Sequence, residues 1–204
     1  VFTNLSHEHL EFHGTYEQYR SDKANLFRAL DAGGYAHADE TTPAIHEARP
    51  ERLPPRTGTI RLPVTGPFGV VNADDPESVY FAHATSAPVL TCSLADPADY
   101  RAAQIVPDAA GTTFRLQTPT GEAPCRIPIP GLFNVSNALN AAAVVQALTG
   151  CAASELAHAI GSLRSARGRL DVIQREPFTG IVDYAHTPGS FETVLPFFRD
   201  QAAG

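Results

Sequence analysis

Three histidines, two glutamates and a lysine stand within one stretch of this sequence, Asn4 to Leu30: His7, Glu8, His9, Glu11, His13 and Lys23. Gly14 breaks the histidine run from a segment opening at Thr15. Thr15 and Gln18 have capping-box spacing, in which each side chain satisfies a backbone donor that a first helical turn leaves orphaned. In the helix that follows, Tyr19, Leu26, Phe27 and Leu30 form an apolar face, and three- and four-residue spacings put Lys23 in its middle. One reading of such a lysine is packing, with the stem covering apolar surface and the ammonium reaching water. The other is chemical. Burial disfavours the charged form, the free amine is a nucleophile, and it can take up carbon dioxide as a carbamate whose hard oxygens suit magnesium. Zinc on His9 and His13 is disfavoured, because the order is not H-E-x-x-H and Gly14 stops the helix that such a pair needs.

The elements that must position these groups follow from pattern. Residues 1–5 read as the end of a buried strand, with Ser6 to Gly14 as the loop at its carboxyl edge, where open α/β sheets collect ligands. Phe68 to Val71 and Pro88 to Ser93 read as further strands, and Asp75-Pro76 between them as a capped helix entry. Gln104 to Val106, Thr112 to Thr118 and Cys125 to Ile129 alternate around Gly-containing turns, the mark of antiparallel hairpins. An alanine-rich helix opens at Gly131-Leu132-Phe133-Asn134-Val135-Ser136-Asn137 and ends near Gly150, with Asn134 and Asn137 on one face of its first turns. A shorter helix runs from Ser154 to Leu163. Strands follow at Asp171 to Gln174 and Phe178 to Val182, and Thr187 and Pro188 start a last helix in which Pro196 is expected to make a kink. Asp31 to Pro67 shows no sustained period and reads as a surface excursion with one short strand near Thr59 to Leu62.

The chain has 204 residues, 43% of them hydrophobic, with a formal net charge of -7. That is enough for one large domain or one plus a piece. The 15 basic residues are scattered, which argues against nucleic acid as a partner. No apolar run approaches the length that spans a bilayer, so a cytoplasmic location is expected. Cys92, Cys125 and Cys151 lack C-x-x-C spacing and read as reduced thiols. The absence of methionine and the opening Val1-Phe2-Thr3-Asn4 suggest a fragment.

The run LSHEHLEFHGTYEQYRSDKANLF resembles the central-domain segment of the Mur ligases, and specifically the branch, UDP-N-acetylmuramoyl-tripeptide synthetase (MurE), that adds a third amino acid to a cell-wall precursor. Three further stretches resemble that branch in the same order: FNVSN at Asn134 and Asn137, the hinge-like GRL at Arg169, and DYAHTP from Asp183 through His186. Asn72-Ala73-Asp74-Asp75-Pro76 resembles its VINxDDP segment. Glu8 replaces the usual aspartate and Leu170 the usual methionine. The resemblance covers most of the chain except 31–67.

The resemblance implies an α/β fold: a mostly parallel sheet with flanking helices and an antiparallel subsheet over 1–167, and the start of a second α/β domain over 168–204. It implies ATP and magnesium as cofactors. His9 and carbamylated Lys23 would hold the metal, Asn134 and Asn137 the adenine, Arg169 and Asp183 the nucleotide, and His186 would lie near the reacting groups. The reaction implied is ATP-dependent amide ligation, adding a diamino acid to UDP-MurNAc-L-alanyl-D-glutamate. No G-x-x-x-x-G-K-[ST] phosphate loop occurs in these residues, and the segment that selects the amino acid in that branch would lie beyond Gly204. The 204 residues are therefore expected to lack ligase activity alone. Alternatives are an inactive fragment or nucleotide-binding remnant, or another Mur-fold ligase such as a folylpolyglutamate synthase or cyanophycin synthetase.

Overall fold

A computed structural model of the chain describes residues 1–6, 10–31, 53, 60–95, 97–108, 110–174 and 176–201. His7, Glu8, His9, Thr59 and most of the 31–67 excursion lie outside the described residues. Helices α1 (Leu10–His13) and α2 (Tyr16–Asp31) precede β1 (Gly69–Asn72), α3 (Ser78–Ala82), β2 (Val89–Ser93), β3 (Tyr100–Asp108), β4 (Gly111–Thr118) and β5 (Gly121–Ile127). Then come α4 (Leu132–Thr149), α5 (Ala153–Gly161), β6 (Asp171–Gln174), β7 (Gly180–Val182) and α6 (Pro188–Gln201).

The first sheet runs β1-β2-β3-β4-β5. β1, β2 and β3 pair in parallel, while β3, β4 and β5 pair antiparallel. Phe2 adds a parallel bridge to Val71 outside β1, its N–H donating to Val70 O and its carbonyl accepting from Asn72 N. The parallel part and the antiparallel subsheet thus meet at β3, as the α/β expectation required. β6 and β7 form a separate antiparallel pair.

The main core lies between this sheet and helices α4 and α5. Tyr100, Leu116, Ile127, Leu139 and Ala143 are fully buried there. Alanine lets α4 approach the strands closely, and Gly150 ends it in a left-handed conformation (φ 70°), with its N–H donating to Gln146 O. A second cluster packs α2 on β1 through Phe2, Ala24, Phe27 and Phe81. Gly69 is required here, since a Cβ would stand 2.8 Å from the Phe27 ring.

Local expectations meet several corrections. Thr15 does cap α2, its Oγ1 accepting from Gln18 N at 3.1 Å, but the Gln18 side chain donates to Asp22 and not back to Thr15, so only half of the capping box forms. Part of the predicted 6–14 loop is the short helix α1, which Gly14 ends at φ 78°. Residues 60–62 form no strand. Ile60, Leu62 and Val64 instead pack on the main core, and Val64 N donates to Ala147 O. Asp75 does not itself cap α3: its Oδ1 accepts from Glu77 N and its Oδ2 from Leu5 N, tying the segment after Phe2 to the turn after β1. Pro196 lies within the continuous helix α6.

Candidate functional site

The most consequential correction concerns Lys23. Tyr19, Ala24 and Phe27 are the buried residues of α2, whereas Lys23 and Leu26 are exposed. Helical spacing does turn Lys23 toward the side of Tyr19 and Phe27, but azimuth alone does not supply a surface opposite. The close approach to the sheet is made by Ala24, whose small side chain admits it. The lysine leans back along the helix, with Nζ 5.4 Å from the centre of the Tyr19 ring. The burial that helical spacing predicted for Lys23 is therefore not found.

The neighbouring histidine has a structural partner. His13 Nδ1 lies 2.7 Å from Asp22 Oδ2, and its ring packs on Tyr19, which joins α1 to α2. Among the described residues no group of three His, Cys, Asp or Glu side chains could hold a metal ion. His9 lies outside them. Of the two metal positions that the resemblance implies, the structure therefore describes Lys23 alone.

The other candidates converge. A cavity of about 980 Å³ opens between the N-terminal end of α4 and the segment linking β7 to α6, and Asn134, Asn137, Arg169, Asp183 and His186 all line it. Lys23 is not among its lining residues. Gly131 lets the chain enter α4: it sits at φ 94°, and a Cβ there would come within 2.6 Å of the Phe133 ring. Asn134 is tied, its Nδ2 donating to Pro130 O at 2.7 Å. That bond uses one of the two amide hydrogens and orients the group, leaving its carbonyl oxygen and the second hydrogen for the cavity. Asn137 is exposed, so its amide is open to a ligand as donor and acceptor together.

On the opposite wall, the Asp183 carboxylate is engaged by two backbone groups. Oδ2 accepts from Leu170 N at 2.9 Å and Oδ1 from Ala185 N at 2.7 Å. The Arg169 guanidinium lies over the Tyr184 ring at 5.1 Å, and that ring meets His186 edge-on at 4.9 Å. His186 Nδ1 is 2.8 Å from Tyr184 O. A carbonyl only accepts, so Nδ1 carries the proton, and in the neutral ring Nε2 is left as an acceptor. Thr187 caps α6 as expected: its Oγ1 accepts from Ser190 N while Ser190 Oγ accepts from Thr187 N and His186 N.

Sequence reasoning missed Tyr184, as well as Asn4 and Ser6, which line the cavity from the segment after Phe2. Tyr184 lies inside the DYAHTP stretch, and its signal was an aromatic residue just past a strand end, between Asp183 and His186.

Comparison with known proteins gives one consistent answer. A profile described as the Mur ligase middle domain matches residues 1–54 and 60–145. The UDP-N-acetylmuramoyl-L-alanyl-D-glutamate--2,6-diaminopimelate ligase of Bacillus licheniformis is 38% identical over 100% of this chain, which spans 36% of that protein. The UDP-N-acetylmuramyl-tripeptide synthetase of Roseiflexus sp. strain RS-1 is likewise 38% identical, with the same coverage of each. Among solved structures, MurF from Acinetobacter baumannii matches with a TM-score of 0.73 at 22% identity, over 98% of this chain and 37% of that one, a likeness of fold. The chain thus spans little more than a third of the length of its relatives.

Proposed function

The chain belongs to the Mur ligase family through its middle domain, and we propose that it serves in ATP-dependent amide ligation, adding a third, diamino acid to UDP-MurNAc-L-alanyl-D-glutamate in the cytoplasm. The names of its relatives support the substrate class. Among the described residues no helix is long and apolar enough to cross a membrane, in keeping with that location. We assign residues 1–167 to the middle domain and 168–204 to the beginning of the next.

One observation carries the reading. Five residues from three separate stretches, Asn134, Asn137, Arg169, Asp183 and His186, line a single cavity. The donor set suits adenine. Asn137 offers a free amide, and Asn134, oriented by its bond to Pro130, offers its carbonyl oxygen to an exocyclic amino group. ATP would supply the phosphoryl group that activates a carboxylate for amide formation. In this reading Asn134 and Asn137 hold the base, Arg169 faces the anionic part of the nucleotide, and His186 holds a proton at Nδ1 with Nε2 free to accept. His9 and Lys23 remain the metal candidates through the motif alone, and no step is assigned to them.

Nucleotide selectivity tests the proposal. With the Asn134 carbonyl oxygen on the N6 amino group of adenine, O6 of guanine would face an acceptor in the same pose, so ATP should bind at least tenfold more tightly than GTP, about 1.4 kcal/mol. Asn137→Ala should weaken ATP by a similar factor without changing thermal stability. Equal affinity for the two nucleotides, or an unaffected Asn137→Ala variant, would overturn the assignment.

A further inference from the structure

Leu170 is buried yet holds a left-handed backbone conformation, φ 47°. Leucine rarely adopts this region, because Cβ crowds the following carbonyl, so something must hold it there. The peptide unit joining Arg169 to Leu170 is gripped at both ends. Its carbonyl accepts from the Ser165 hydroxyl, and its N–H donates to Asp183 Oδ2 at 2.9 Å. Asp183 Oδ1 takes the N–H of Ala185, the residue after Tyr184. One carboxylate therefore ties the residue following Arg169 to the residue following Tyr184, and the two side chains so placed are in contact, guanidinium over ring.

We infer that Asp183 is a positioning residue of the nucleotide cavity, acting through the left-handed peptide at Leu170 to hold Arg169 against Tyr184 on the cavity wall. Each carboxylate oxygen already accepts one short backbone bond, and its stronger, charge-assisted character suits a fixed brace. The inference rests on the nucleotide reading of the cavity, but the clasp itself is a feature of the unliganded chain.

A double-mutant cycle separates this role from direct contact with the nucleotide. On the full chain, with ATP as the probe, Arg169→Ala and Asp183→Asn should each weaken binding about tenfold. The double variant should be no weaker than Arg169→Ala by more than about twofold, because the brace has nothing left to hold. Losses that multiply to about a hundredfold would make Asp183 an independent ligand and overturn the inference. Amide hydrogen exchange without nucleotide provides the second arm. Exchange at Leu170 and Ala185 should be protected in the native chain and accelerate in Asp183→Asn, or in Asp183→Ser should the first variant fail to fold, but not in Arg169→Ala. Unprotected Leu170 in the native chain would also overturn it. If ATP fails to bind the native chain, the nucleotide reading falls, while the exchange arm still decides the clasp.

Discussion

The five-stranded unit and the segment from β6 to α6 are built to different standards. In the first, strands β1 to β5 and helices α4 and α5 enclose a continuous core in which Tyr100, Leu116 and Leu139 lose all contact with solvent. In the second, Leu170 and Val194 are the buried apolar residues among those described, whereas Ile173 and Phe178 are each 66% exposed and Leu195 is 55% exposed. A two-stranded sheet is marginal alone, and this one is fastened at its ends by polar contacts such as the Asp183 bonds. The comparison teaches that the cavity has one rigid wall, the N-terminal end of α4, and one wall set mainly by hydrogen bonds.

The largest effect should come from the rigid side. Leu139→Ala should cost about 2–5 kcal/mol in denaturant unfolding, from lost transfer energy and a residual cavity, while Leu195→Ala should stay within about 0.5 kcal/mol. Similar losses in the two would erase the distinction. Next in size, Gly131→Ala forces a Cβ onto the Phe133 ring at φ 94° and should cost about 1–3 kcal/mol. It should also weaken ATP binding by shifting the turn that carries Asn134; full stability with full binding would show that this wall tolerates movement.

The smallest effect belongs to an ion pair at the sheet edge. Arg126 holds the Asp108 carboxyl down to about 2. A lowered carboxylate stabilises the fold above the ordinary aspartate value, about 3.9, and that contribution is lost as pH falls toward 2. Asp108→Asn should flatten the acid limb of the stability curve between about pH 4 and 2 and change little at pH 7, since the pair is exposed. A large loss at neutral pH would contradict this.

Much of the fold was legible because alternation and glycine turns report on backbone geometry directly. The β3 to β5 hairpins, the Gly150 cap and the Thr187-Pro188 helix start all lie where these signals put them. Burial is a relation between elements, and there the sequence reading failed. Spacing on α2 turned Lys23 toward the apolar side but could not show that its side chain stays exposed, nor that Ala24 makes the contact. The same limit hid the engagement of Asp183, whose partner Leu170 is distant in sequence and becomes one only after β6 and β7 pair. Asn134, Asn137, Arg169 and His186 were legible through the motifs that carry the resemblance, and each stands at or near the end of an element.

The central claim is that the cavity at the start of α4 receives the base of ATP. Titration of the 204-residue chain with ATP, followed through the side-chain amide resonances of Asn134 and Asn137, tests it most directly. The account predicts saturable shifts of both amides together with the His186 ring, and no such shifts with GTP at the same concentration. ATP binding that leaves both asparagine amides unmoved would contradict it.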